Sequence, residues 1–216
     1  DAMVRDGIRE AVGIVLAPHY SVMSVGSYIE RARQRAEAAG LHLSFVKSYH
    51  LHPQLIEALA ARVKAGLEQF DVPAAEVRVF FSAHSLPVRV LEMNDPYVDQ
   101  LMETSKAVAD KAGVDKWQFV WQSAGATPEP WLGPDVLDAL RTVKEEAQTA
   151  HVLICPLGFV SDHLEILYDL DIEAQNTARS LGIRLVRTES LNTDPLYIET
   201  LADQVISKFE EGGGHE

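Results

Sequence analysis

Short runs of β-branched and aromatic residues alternate along this chain with longer segments of helical period, and few folds accept that rhythm. Val12-Gly13-Ile14-Val15-Leu16-Ala17, Val77-Arg78-Val79-Phe80-Phe81, Phe119-Val120-Trp121, Val152-Leu153-Ile154-Cys155 and Ile183-Arg184-Leu185-Val186 read as buried strands, with Leu43 to Val46 a weaker sixth. Between them, Ile56, Leu59, Ala60, Val63, Leu67 and Phe70 form one apolar stripe behind Pro53, which suits a first-turn position. Asp95-Pro96, Gly133-Pro134-Asp135 and Thr193-Asp194-Pro195 each put a capping side chain beside a proline where a further helix opens. The last helix carries Ile198, Leu201, Ala202, Val205, Ile206 and Phe209 and is expected to dock that stripe on an apolar surface. The alternation predicts βαβ units, hence an α/β fold with parallel sheets covered on both faces. A chain of 216 residues is one large domain of this kind or two smaller lobes. The one low-complexity piece, Gly212-Gly213-Gly214, is expected to fray.

Charge narrows the partners. Nineteen basic residues against thirty-two acidic leave a formal charge of −13, which argues against nucleic acid or an anionic membrane surface, since both need cationic side chains to displace counterions. The longest apolar runs, such as Ala11 to Pro18, fall far short of the roughly 20 residues a bilayer span requires. A single cysteine, Cys155, excludes a disulfide within the chain and fits a reducing cytoplasm. The chain opens at Asp1 without an initiator Met, which suggests a trimmed N-terminus.

In open α/β sheets ligands sit beyond the carboxyl ends of the strands, and three polar stretches follow strands here. Ser82-Ala83-His84-Ser85-Leu86-Pro87 offers a histidine, able to take a proton near neutral pH or to ligate a metal; a loop histidine bonded to backbone is the bland reading. The stretch Ser161-Asp162-His163-Leu164-Glu165 continues as a helix towards Leu181, with Ser161 or Asp162 as its cap. On a 100° wheel Asp162, Glu165, Asp169 and Glu173 fall within about 80° of one another, opposite Leu167, Leu170, Ala174, Ala178 and Leu181. That row is either a solvated face or a carboxylate ladder for a cation. His163 falls on the apolar side and reads as a core histidine. The third stretch, Trp117 to Asp135, is a strand end running into a loop dense in Trp, Gly and Pro, and is either a rigid packed turn or an aromatic wall for a flat ligand.

Taken in order and spacing, Ser82-Ala83-His84-Ser85-Leu86-Pro87, Trp121-Gln122-Ser123, Trp131-Leu132-Gly133-Pro134 and Gly158-Phe159-Val160-Ser161-Asp162-His163-Leu164-Glu165, with Leu16-Ala17-Pro18 and Ser27-Tyr28, closely resemble the ferrochelatase family. The resemblance runs from Ala17 to about Phe209. It implies two Rossmann-like lobes with parallel sheets around a porphyrin cleft, into whose ligand ferrous iron is inserted. The wording from Trp121 to Trp131 is more similar to the Gram-positive type, which implies coproporphyrin III as substrate and Fe-coproporphyrin III, a haem b precursor, as product.

By the same resemblance His84 and Glu165 are the paired catalytic and metal-site residues, Asp169 and Glu173 are further metal-path positions, and Tyr28 contacts the porphyrin. Iron enters as substrate. No resident cofactor is implied, and with no cysteines near the C-terminus no [2Fe–2S] cluster is expected. The family's first strands and helices have no counterpart before Asp1, so the first lobe is expected to be incomplete, formed by residues 1–47 and 188–216 with the last helix returning to it. Residues 48–187 are then the second lobe. Transient contacts with neighbouring haem-pathway proteins are a further expectation. Two rival readings remain: a sirohydrochlorin cobalt chelatase of related fold, and a non-catalytic tetrapyrrole or metal carrier.

Overall fold

The computed structural model describes residues 1–147 and 150–212; Gly213 and Gly214 of the glycine tail lie outside them. After a short helix α1 (Ala2–Arg5), strand β1 (Glu10–Ile14) crosses through helix α2 (Val25–Ala39) to the parallel strand β2 (His42–Val46), with Glu10 opposite His42 and Ile14 opposite Val46. A second sheet holds β3 (Arg78–His84), β4 (Trp117–Gln122), β5 (His151–Cys155) and β6 (Arg184–Arg187) in the order β4-β3-β5-β6, all parallel. Helices α3 (Pro53–Leu67), α4 (Tyr97–Ala112), α5 (Val136–Ala147), α6 (Gln175–Ser180) and α7 (Pro195–Gly212) complete the chain.

Successive strand side chains point to opposite faces, and the second sheet is apolar on both. Phe81, Ala83, Leu153 and Cys155 pack on Leu55, Leu59 and Val63 of α3 and on Leu101 and Val108 of α4. Phe80, Val152 and Ile154 face the other way, towards Val136, Leu140 and Val143 of α5 and towards Ile166, Leu170 and Ala174. Phe80 to Ala83 of this central strand are all fully buried, with Ser82 satisfied by Gln122, and the half-buried His84 is its carboxyl end.

The three predicted helix openings hold. A first-turn N–H without an intrahelical partner is satisfied in each case by aspartate: Tyr97 N–H by Asp95 at 2.9 Å, Leu137 N–H by Asp135 at 2.8 Å and Leu196 N–H by Asp194 at 2.9 Å.

Three expectations change. β1 stops at Ile14, so Val15, Leu16 and Ala17 leave the sheet and run towards the cleft. Helix α7 docks on α3, β1 and β2 through an arc containing Tyr197, Thr200 and Leu201, but Ile198, Ile206 and Phe209 of the predicted stripe stay exposed, because the stripe is wider than the surface it meets. The segment after β5 is not an α-helix from residue 162. It begins at Leu164, runs as a π-helix from Ile166 to Ala174 and only then becomes α6. The i→i+5 bonding of that segment widens its turn, so a 100° wheel misplaces its side chains.

Candidate active site

His84 leaves the carboxyl end of β3 opposite Gln122 of β4. Its Nδ1 lies 2.5 Å from the Ser85 carbonyl oxygen. A carbonyl only accepts, so Nδ1 carries a proton, and in the neutral ring the lone pair is on Nε2. That Nε2 stands 3.7 Å from Glu165 Oε2. His163 repeats the arrangement: Nδ1 donates to the Ser161 carbonyl at 3.0 Å, and Nε2 lies 3.7 Å from the same Glu165 Oε2. His163 is therefore half-exposed in the cleft rather than in the core, and the sequence reading of it is corrected. With both rings neutral, the two Nε2 lone pairs and the carboxylate oxygen are all acceptors. Groups of that kind converge favourably only around a proton or a cation.

The three side chains line a cavity of about 500 Å³ between the two sheets' strand ends, with Leu16, Ala17 and Tyr28 on the β1 side and Phe159 beside the histidines. Phe159 sits with its ring centre 5.0 Å from that of His163 and 6.4 Å from that of His84. Tyr28 is 58% exposed, its ring on the open wall. A slot with an apolar rim and a polar floor suits a flat, largely apolar ligand whose chemistry occurs at its centre.

Asp169 and Glu173 stand elsewhere. With Gln122, Ser123 and Asp135 they line a separate cavity of about 220 Å³. Ser123, in left-handed backbone at φ 59°, donates its hydroxyl to Asp169, and burial raises the Asp135 carboxyl above its ordinary range. Asp162 is not part of the row. It precedes the helix and turns to Arg187, Ser190 and Asn192. Hydrogen bonds from Asn192 and Ser190, then the Arg187 charge, hold its carboxyl below the usual range. The single acidic face read from the sequence is thus three environments. Among the described residues, no three His, Cys, Asp or Glu side chains close into a ready metal cage.

The Trp-rich stretch packs rather than lines. Trp121 is buried with its ring 4.9 Å from Phe119 and 6.1 Å from Tyr97, and Trp131 covers Gly125, where a Cβ would come within 2.5 Å of its ring. Neither tryptophan borders the 500 Å³ cavity.

Several residues to which the sequence assigns no role in the site hold the walls in place. Gly158 donates its N–H to the Ser82 carbonyl at 3.1 Å, and a Cβ there would sit 2.3 Å from Ala83 Cβ. Tyr97 donates its hydroxyl to the His84 carbonyl at 3.1 Å. Asp95 accepts from Ser21 Oγ at 2.8 Å and Val22 N–H at 2.7 Å as well as from Tyr97 N–H. Burial pushes the neighbouring His19 down to about 3, with His50 adding a smaller push in the same direction. It is therefore a neutral ring, bonded through Nε2 to Thr104 Oγ1 at 2.9 Å.

Comparison with known proteins agrees with the sequence resemblance. The family model described as Ferrochelatase matches residues 1–209. A protein of Deinococcus radiodurans named ferrochelatase is 47% identical over 97% of this chain and 67% of its own length. One of Geobacillus kaustophilus named coproporphyrin III ferrochelatase is 45% identical over 100% of this chain and 69% of its own length. Among solved structures, Bacillus subtilis SirB with Fe³⁺ superposes with a TM-score of 0.67 at 12% identity, over 98% of this chain and 77% of that one, a likeness of fold.

Proposed function

The chain belongs to the ferrochelatase family, and from that premise we propose that the protein inserts ferrous iron into coproporphyrin III to give Fe-coproporphyrin III. The observation that carries the site assignment is the meeting of three acceptors, His84 Nε2, His163 Nε2 and Glu165 Oε2, in one slot. The choice of coproporphyrin rests on the relatives so named, at 43–45% identity for the first of them.

Insertion has to remove two pyrrole N–H protons and exchange the iron's water ligands for ring nitrogens. His84 is suited to the first task, with its Nδ1 proton committed to a carbonyl and its Nε2 lone pair turned to the cleft. Glu165 holds the departing proton or the incoming cation, and His163 supports whichever it holds. Asp169 and Glu173 form the acidic approach from the neighbouring cavity. Tyr28, Leu16 and Phe159 grip the faces of the macrocycle. Contacts at its periphery then supply the energy to bend it, exposing nitrogen lone pairs that a flat ring hides. Iron is the substrate in this reading, and an ion destined for the ring gains nothing from a closed cage.

The two sheets are the basis for two lobes, 1–47 with 188–216 and 48–187, and the slot lies where they face each other. Action in the cytoplasm, with transient hand-over to neighbouring haem-pathway proteins, completes the reading. Among the described residues no helix is long and apolar enough to cross a membrane.

The test is His84→Ala in the full-length protein. Loss of a general base costs about 10²–10⁴-fold in rate, so metalloporphyrin formation followed by absorbance should fall by at least that lower bound while coproporphyrin still binds. Normal turnover would remove His84 from the reaction. Running iron and cobalt against coproporphyrin and sirohydrochlorin in the same assay separates this reading from the cobalt chelatase one, and a product-free result with tight porphyrin binding would mean a carrier.

A further inference from the structure

Directly after His163 and Glu165 the chain is a π-helix over nine residues, Ile166–Ala174, and π geometry rarely persists beyond a single turn. Something must hold it, and the partner is Arg187 at the end of β6. Its Nε and Nη2 grip the two carboxylate oxygens of Asp171 at 2.7 and 2.9 Å, a bidentate fork. Its Nη1 reaches Asp162 Oδ1 at 3.3 Å and donates to the Thr188 carbonyl at 3.0 Å. The side chain is only 15% exposed. Ser190 Oγ donates to the same Asp162 Oδ1 at 2.8 Å, and Asn192 Nδ2 fastens the other oxygen, Oδ2, at 3.0 Å.

Asp162 and Asp171 bracket His163 and Glu165. The seven residue steps of α-helix from Leu164 to Asp171 would rise about 10.5 Å, with Asp162 two residues further back, which is a long reach for one guanidinium between two short side chains. A wider, flatter turn brings the two carboxylates within its span. We propose that Arg187 is a positioning residue: by tying Asp162 to Asp171 it selects the π-turn and thereby fixes where Glu165 and His163 stand relative to His84. The inference deepens the proposed function and rests on it for the meaning of that position.

The experiment compares Arg187→Gln and Arg187→Lys in the full-length protein, reading kcat and KM separately for ferrous iron and for porphyrin, together with porphyrin affinity and thermal melting. Losing an outer partner of a metal-site group typically costs 10–100-fold, so Arg187→Gln should lower kcat/KM for iron by that factor and leave porphyrin affinity within twofold. Arg187→Lys keeps the charge without the fork and should recover part of the loss. Iron kinetics within twofold of the parent, or equal losses for iron and porphyrin, would overturn the proposal. If Arg187→Gln does not fold, Asp171→Asn keeps the Asp162 arm and must give the same iron-selective loss; normal kinetics in that variant overturns it too. Co²⁺ binding, read by its visible absorbance, separates the two ideas. A parent that binds Co²⁺ but never metallates a porphyrin defeats the functional reading, while weaker Co²⁺ binding in Arg187→Gln still upholds the clamp, and unchanged binding sinks it.

Discussion

Gly158→Ala tests how tightly the back of the slot is set. The new Cβ would lie 2.3 Å from Ala83 Cβ and 2.9 Å from Ala83 Cα, against an ordinary carbon–carbon contact of about 3.5–4.0 Å. A shift of about 1 Å or more is therefore required. β3 cannot supply it, since it is hydrogen-bonded to β4 and β5 on its two sides. The loop that leads through Phe159 to Glu165 must move instead, and with it goes the bond from Gly158 N–H to the Ser82 carbonyl. Overpacking costs about 1–3 kcal/mol and a lost hydrogen bond about 0.5–1.5 kcal/mol. Together they should lower the melting temperature by about 3–18 °C for a chain of this size. The kinetic effect should be larger than stability alone implies, because a misplacement of about 1 Å at a reacting centre costs on the order of 10²-fold. The assay is metalloporphyrin formation by absorbance beside a circular-dichroism melt. Adding Ala83→Gly to the variant removes the nearest clash and should restore much of both losses. Unchanged turnover and melting in Gly158→Ala would refute the argument, as would a double variant no better than the single one.

Two further outcomes concern buried titratable groups. His19 is pushed down to about 3 by burial, whereas an unfolded histidine sits near 6.5. The unfolded chain therefore binds the extra proton between those values, and stability should fall as pH drops from about 6.5 towards 3, by at most about 1.4 kcal/mol per pH unit. Urea midpoints at several pH values should show a flatter dependence in His19→Gln, and parallel profiles would exclude this origin. Burial also pushes the Cys155 thiol up to about 12, with the Thr188 hydrogen bond opposing it weakly. Iodoacetamide at pH 8 should leave the folded protein unlabelled and modify it in urea; rapid labelling of the native state would contradict that burial.

Continuous apolar runs, helical periods and capping signals carried the strands, the helix openings and the parallel arrangement, because burial of β3 and β5 on both faces writes itself into runs such as Val79 to Phe81 and Val152 to Cys155. His84 and Glu165 were legible as polar residues following strands. What the patterns could not carry was the geometry of the segment between them. Wheel arithmetic presumes one regular helix throughout: Asp162 and His163 precede the first helical turn at Leu164, so the wheel does not apply to them, and the π-helix that follows changes the rise and turn angle for Asp169 and Glu173. Arg187, more than twenty residues from Glu165 in sequence, leaves no local trace of its hold on Asp162 and Asp171. Gly158 is similar: a glycine's meaning lies in what approaches it, and Ala83 approaches from a strand seventy-five residues earlier.

The start of α4 touches both walls of the slot at once. Asp95 holds the Ser21-Val22 turn that leads into α2 and Tyr28, and two residues on, Tyr97 holds the backbone of His84. A rocking motion of one wall against the other must therefore pivot about residues 95–97. The same lever would carry that motion to the His84 carbonyl, so a change in the slot's opening would reach the backbone of His84 as well.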